Sequence, residues 1–156
     1  MKNQLIHKTA IVSKNSTLGD NVRVWHFSHV RENVIIGNNV SIGQNVYIDQ
    51  NVIIGDNCKI QNNVSLYDGV TIGNNVFIGP SVVFTNDKYP DAKVWSEDLK
   101  LSTMICDGVS IGANSTILPG IKISKGTLIG AGSVVTKSFQ DNLIVYGNPA
   151  EVIKKR

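Results

Sequence analysis

From Ile6 onward, every sixth residue is apolar: Ile6, Val12, Leu18, Val24, Val30, Ile36, Ile42, Ile48, Ile54, Ile60, Leu66, Ile72, Ile78 and Phe84. With 42% hydrophobic residues in the chain, a run of this length in any of six phases has a chance on the order of 10⁻⁵. Two places earlier in each hexad runs a second series of small or β-branched residues, from Ala10 and Ser16 through Val22, Ser28 and Val34 to Cys58, Val76 and Val82. After Phe84 the phase breaks, and it resumes at Ile105, Ile111, Ile117, Ile123, Ile129 and Val135. A period of six fits neither a helix nor a plain alternating strand, so part of each hexad must turn a corner.

A longer period counts the corners. Gly19, Gly37, Gly55 and Gly73 are spaced by eighteen, and so are Asn21, Asn39, Asn57 and Asn75. Three hexads per turn predict a triangular prism of parallel strands, about seven coils tall at about 4.8 Å per coil. Gly and Asn are expected at the corners because they tolerate left-handed backbone angles. Cys58 falls in an inward slot and reads as a core thiol.

Twenty residues separate Phe84 from Ile105, where the repeat allows five. The surplus predicts a loop extruded from the column over about 85–101, and insertions in a strict repeat tend to carry function. Tyr89, Pro90 and Trp95 lie on it, stiff side chains suited to gripping a neighbour or ligand. The division expected is a β-helix over 1–137 and a cap over 138–156, with Glu151 to Arg156 as a brief basic helix covering the last coil's open edges.

Composition narrows the classes. Aromatics make up 6% of the chain and it has 14 Gly, a poor mixture for long amphipathic helices. No apolar run reaches the roughly 18 residues of a membrane span. The start, Met1-Lys2-Asn3-Gln4, lacks the apolar stretch of a signal peptide, so a cytoplasmic location is the expectation. Cys58 and Cys106 are too few for a disulfide framework. A net charge of +3 does not point to nucleic acid and slightly favours small anions.

Several segments resemble the acyltransferases built from hexapeptide repeats. They are Val24-Trp25-His26-Phe27-Ser28-His29-Val30, Ile42-Gly43-Gln44-Asn45-Val46, Lys59-Ile60-Gln61-Asn62-Asn63-Val64-Ser65, Gly79-Pro80-Ser81-Val82-Val83-Phe84-Thr85-Asn86, Ile111-Gly112-Ala113-Asn114, Ile129-Gly130-Ala131-Gly132-Ser133-Val134-Val135-Thr136-Lys137 and Gly147-Asn148-Pro149-Ala150. The chain looks closest to the N-acetyltransferases that modify nucleotide-linked amino-deoxysugars for surface polysaccharides such as O-antigen. The resemblance implies an all-β, left-handed parallel β-helix, a homotrimer with sites between columns, and acetyl-CoA as co-substrate with no metal required. It places the pantetheine arm of CoA at Gly112, Ala113, Gly130 and Ala131, whose small side chains would let a ligand approach. Lys137, Asn148 and Pro149 would lie near the nucleotide end of CoA. It implies an active-site role for Asn86 at the root of the loop.

Acetyl transfer to an amine needs a neutral nitrogen, a polarised thioester and somewhere for the proton to go. The chain's three histidines, His7, His26 and His29, all fall in the early coils, away from the loop. Asn86 is therefore expected to orient the amine, with Asp87 either a base or a turn residue, in a mechanism resting on positioning. His26, Gln44, Asn62 and Asn63 could hold the acceptor through polar contacts. Nearer relatives carry Asn-Pro-Arg on the loop where this chain has Tyr89-Pro90-Asp91, and Lys88 or Lys93 is the candidate replacement cation. Two rival readings remain. An O-acetyltransferase acting on a hydroxyl would need a stronger base, and a zinc carbonic-anhydrase-like protein would need three ligands, of which only His26 and His29 suggest themselves.

Overall fold

The computed structural model describes residues 3–94 and 101–156, and they form a parallel β-solenoid of about eight turns with three sheets and no helix. Its first face stacks Leu5–Ile6, Arg23–Val24, Ser41–Ile42, Lys59–Ile60, Phe77–Ile78, Ser110–Ile111 and Leu128–Ile129. The second stacks Ile11–Val12, His29–Val30, Tyr47–Ile48, Ser65–Leu66, Val83–Phe84, Thr116–Ile117 and Val134–Val135. The third runs from Thr17–Leu18 through Ile35–Ile36, Ile53–Ile54, Val70–Ile72 and Thr103–Ile105 to Lys122–Ile123. Successive strands on a face pair in parallel at a sequence offset of eighteen, as in Arg23↔Ser41 and His29↔Tyr47, and of thirty-three across the loop, as in Phe77↔Ser110.

The hexad residue of each strand points inward, and from Leu18 to Phe84 and again from Ile105 to Val135 that series is buried. Ile6 and Val12 depart from the expectation: Ile6 is exposed and Val12 only half-buried. They belong to the first coil, beneath which no other coil lies among the described residues, and that end has a cavity of about 430 Å³ lined by residues including Gln4, Ile6, Val12 and Leu18. Where the second inward series is polar, its hydroxyls bond to backbone. The Ser28 Oγ donates to the Gly43 carbonyl at 2.6 Å, and the Ser115 Oγ donates to that of Gly112 at 2.9 Å. Cys58 is buried, and burial pushes its thiol pKa up, in keeping with a core role.

Corner geometry corrects the reading of the glycine ladder. Among the described residues, every non-glycine with a positive φ is an Asn except Phe27 and Ser81. Gly19, Gly37, Gly55 and Gly73 are not in the left-handed region at all. They are small because a Cβ would strike the coil above: at Gly55 it would lie 2.7 Å from the Gly73 carbonyl carbon. In these four coils Asn supplies the left-handed angle and Gly the clearance, whereas in the upper coils Gly108, Gly120, Gly126 and Gly132 take the left-handed angle themselves.

The C-terminus also departs from expectation. The tail contains no helix; Leu143–Gly147 continues the first face above Leu128–Ile129, and Ala150–Lys155 pairs with it antiparallel. Asn148-Pro149, joined by a cis peptide bond, forms the turn. A six-residue helix is marginal by itself, whereas Val152 and Ile153 favour a strand that covers the last exposed edge. This added rung brings the column to about eight turns rather than seven.

Candidate functional site

The three corners differ in chemistry. The first, between faces one and two, comprises residues 7–9, 25–27, 43–45, 61–63, 79–81, 112–114 and 130–132 in rising order. Its backbone forms a continuous ladder: the N–H groups of Asn45, Asn63, Ser81, Asn114 and Gly132 donate to the carbonyls of His26, Gln44, Asn62, Pro80 and Ala113. The expected site residues His26, Gln44, Asn62, Asn63, Gly112, Ala113, Gly130 and Ala131 therefore share one edge of the prism. The Asn148-Pro149 turn sits at its top, where the Gly147 N–H donates to the Ser133 Oγ at 3.3 Å.

Side chains along this edge change in zones. The lowest is aromatic: His7 and His26 have ring centroids 3.6 Å apart, and Trp25 and Phe27 lie 6.3 and 6.2 Å from the His26 ring. The Thr9 N–H donates to the His7 Nδ1, and the Phe27 N–H donates to the Thr9 Oγ1. With Nδ1 accepting, the proton of a neutral His7 sits on Nε2. Burial, then the nearby His26 and Lys8, lower its pKa from the ordinary histidine value.

Amides occupy the middle zone. Gln44, Asn45, Asn62 and Asn63 are exposed, the Asn62 Oδ1 accepts the Gln44 N–H at 3.0 Å, and the Asn45 Nδ2 donates to the Asn63 Oδ1 at 2.9 Å. The Gln44 bond uses its backbone N–H and not its side chain, and the Nδ2 of Asn62 is left available. The uppermost zone is small, with Gly79, Gly112, Gly130, Ala113 and Ala131. A Cβ at Gly112 would lie 2.4 Å from the Ala131 nitrogen, and one at Gly130 would lie 2.6 Å from the Tyr146 Cβ. The reason for these glycines is thus the approach of the next coil, a packing constraint that coexists with any ligand role.

No Asp or Glu occurs in any of the seven triplets of the first corner. Lys8 lies within it, and Arg23 and Lys59 flank it on the first face, both exposed and in no ion pair among the described residues. The third corner carries Asp20, Asp56 and Asp107, and the second carries Glu32, Asp49 and Asp68. The electrostatic preference of the first corner is for an anion.

Asn86, Asp87 and Lys88 lie elsewhere. They leave the second face after Val83–Phe84, at the second corner, six residues along the coil from Pro80. Six residues span at most about 20 Å of extended chain, and a full side of the prism stands between Asn86 and the first corner. The Asp87 Oδ1 accepts the Tyr89 N–H at 2.9 Å, so this carboxylate shapes the loop turn. The Lys88 Nζ sits 5.6 Å from the Tyr89 ring centre, and Tyr89 is 79% exposed. Lys137 belongs to the same corner two coils above Asn86, and its Nζ donates to both carboxylate oxygens of Glu151. The expected contribution of Trp95 lies outside the described residues.

Beneath Asn86 is a polar cluster that the hexad pattern did not single out. The Arg31 Nη1 donates to the Asp49 Oδ1 at 2.8 Å, and the Tyr47 Oη donates to the same oxygen at 3.2 Å. The Gln50 Nε2 and the Asn51 Nδ2 donate to the Asp68 Oδ2. Hydrogen bonds with Tyr47 and Glu32 raise the Arg31 pKa further, and hydrogen bonds from its own backbone N–H and from Arg31 hold Glu32 below the ordinary carboxylate range. The eighteen-residue spacing of Arg31, Asp49 and Tyr67 was the available signal. Among the described residues, no three His, Cys, Asp or Glu side chains are arranged to hold a metal ion.

The family model described as bacterial transferase hexapeptide (six repeats) matches residues 6–50, 51–86 and 102–137. The chain belongs to this hexapeptide-repeat transferase family. A galactoside O-acetyltransferase from Lactococcus lactis is 36% identical over 83 residues, which cover 51% of this chain and 40% of that protein. Less than half the length of that relative is therefore matched. Among solved structures, a hexapeptide-repeat-containing acetyltransferase from Vibrio cholerae is 26% identical with a TM-score of 0.59, covering 89% of this chain and 73% of its own. An N-acyltransferase from Bacillus cereus, solved with dTDP and 3-hydroxybutyryl-CoA, is similar in fold at 24% identity and a TM-score of 0.61, covering 99% of this chain and 81% of its own.

Proposed function

We propose that this hexapeptide-repeat protein is an acetyl-CoA-dependent N-acetyltransferase acting on the amine of a nucleotide-linked amino-deoxysugar. The observation that carries the reading is the first corner: free of carboxylates, flanked by cations, and graded from amides to small residues toward the top. An anionic sugar ligand fits the amide zone, and an extended thioester arm fits the small-residue zone above it. In this reading Gln44, Asn62, Asn63 and His26 contact the acceptor, and Gly112, Ala113, Gly130 and Ala131 line the path of the arm. Lys137, Asn148 and Pro149 contact the far end of CoA.

Asn86 is a full prism side away from that corner in its own chain. The reading therefore requires a homotrimer in which Asn86 of one copy faces the first corner of the next, a closed assembly that flat prism faces suit. There the Asn86 amide orients the acceptor nitrogen. The neutral amine attacks the thioester carbonyl, a C–N bond forms and the C–S bond breaks. The ammonium proton passes to solvent or to the departing thiolate. An amine suits this site because none of the three histidines of its own chain stands near Asn86, the Asp87 carboxylate is engaged in the loop turn, and a neutral amine attacks without a strong base, so that His26 of the facing corner need only contact the acceptor. Lys88 is left to meet an anionic group of the acceptor.

A second reading, acetylation of a sugar hydroxyl, is favoured by the match to the galactoside O-acetyltransferase. One thiol-release assay separates the two. Acetyl-CoA is offered to UDP- and dTDP-linked amino sugars, with galactosides and the corresponding hydroxyl sugars alongside. Release with the amines alone supports N-acetylation, and release with the hydroxyl acceptors alone replaces it with the second reading.

A further inference from the structure

The aromatic zone at the foot of the first corner is not explained by the fold. Phe27 has φ of 57° and is 65% exposed, while the equivalent residues one and two coils above are Asn45 and Asn63, with φ of 55° and 61°. A bulky residue in the left-handed region is a genuine outlier, and Asn would relieve it at no cost to packing. Strain kept at an exposed position points to a use for the ring rather than to folding. Trp25, also partly exposed, lies two residues away, and the His7–His26 pair stacks beneath, its orientation set by Thr9. Flat rings on a fixed corner are suited to stacking a planar ligand.

What stands above and beside the rings specifies the rest of that ligand. Arg23 and Lys59 flank the same edge two coils apart, about 10 Å at the coil spacing, and among the described residues neither is in an ion pair. The amides of Asn62 and Asn63 follow at the level of Lys59. Rings beside Arg23 in one coil, and Lys59 beside the amides two coils above, match a base, a diphosphate and a sugar laid along the edge. We propose that Trp25 and Phe27 stack the nucleobase of the acceptor and that Arg23 and Lys59 bind its diphosphate. This site rests on the reading above for the identity of the sugar but makes its own claim about nucleotide binding.

Isothermal titration of the full chain with UDP and dTDP, with ADP and CoA as parallel arms, tests the site without requiring turnover. The wild type is expected to bind UDP or dTDP. Phe27→Asn should weaken that binding tenfold or more while its melting temperature stays level or rises, a combination that loss of folding does not produce. Arg23→Gln should weaken the diphosphate but leave the nucleoside monophosphate within about twofold. Absence of UDP and dTDP binding by the wild type overturns the proposal, as does unchanged affinity in both Phe27→Asn and Trp25→Ala. If Phe27→Asn weakens ADP and CoA instead, the rings serve the donor and the proposal is also overturned. Binding through Phe27 with no amine acetylated would remove the N-acetyltransferase reading and leave the nucleotide site standing. Acetylation of a nucleotide-linked amine equally fast in Phe27→Asn at low acceptor concentration would do the reverse.

Discussion

The first and third corners have the same backbone and opposite chemistry. At the third, the pattern Gly-Asp/Asn-Asn recurs through Gly19, Gly37, Gly55 and Gly73, and most of its polar side chains bond to the neighbouring coil. The Oδ1 atoms of Asn38, Asp56, Asn74 and Asp107 accept the N–H groups of Asp20, Asn38, Asp56 and Asn74 from the coil below. The amides of Asn21, Asn39 and Asn57 form a second ladder at 3.1 Å. At the first corner the left-handed residue is again held near φ of 55–61°, yet it is Phe27, Asn45, Asn63, Ser81 and Asn114 in turn. One corner repeats because stacking alone chooses its residues. The other varies under the same backbone constraint, so something besides stacking chooses its residues.

That contrast can be broken at either corner. The largest effect is expected from Gly55→Val at the third, where the new side chain must displace the Gly73 backbone. Overpacking of this kind costs about 3 kcal/mol, read as a lower midpoint in urea, and transfer by the folded fraction should be unchanged. Next, Asn86→Ala should lower turnover about a hundredfold, near 2.7 kcal/mol of barrier, with the melting temperature held. His26→Ala should cost less; a variant ranking in which His26→Ala is the more damaging would remove Asn86 from its proposed role.

Asn57→Ala comes third. It puts a Cβ residue with no compensating amide into the left-handed region and interrupts the ladder, at a cost of about 1–2 kcal/mol, without altering transfer. The smallest effect is on pH. The folded-state pKa of His7 is lowered, so its contribution to stability is fully present above the unfolded value of 6.5 and is lost as the pH falls through the folded value. Melting temperature should therefore drop slightly more between pH 7 and pH 5 in the wild type than in His7→Gln, and amide exchange at Thr9 and Ala10 should accelerate over the same range.

Much of this architecture was legible because the period of burial and the geometry of a coil side are the same quantity. An inward residue every six positions leaves no other closed shape, and the surplus between Phe84 and Ile105 has nowhere to go but outward. The misreadings came from positions whose neighbours are distant in sequence. Gly55 looked like a turn residue but is small because of Gly73, eighteen residues away. At Gly130 the lack of a side chain has a second reason that the repeat does not show, since a Cβ there would lie 2.6 Å from the Cβ of Tyr146, sixteen residues on. Glu151 to Arg156 looked helical by its charge, until Leu143–Gly147 offered an edge to pair with.

The candidate site divides along the same line. The sequence by itself determined the repeat, the place of the loop and the residue types available, because alternation and spacing are local properties of the chain. The eighteen-residue period already stacks His26 beneath Gln44 and Asn62, and only the tertiary structure decided that Ala131, beyond the loop, joins that edge while Asn86 and Lys137 occupy another. Which corner a residue joins depends on the stacking register of the coils, and that register is set by interactions eighteen and thirty-three residues apart.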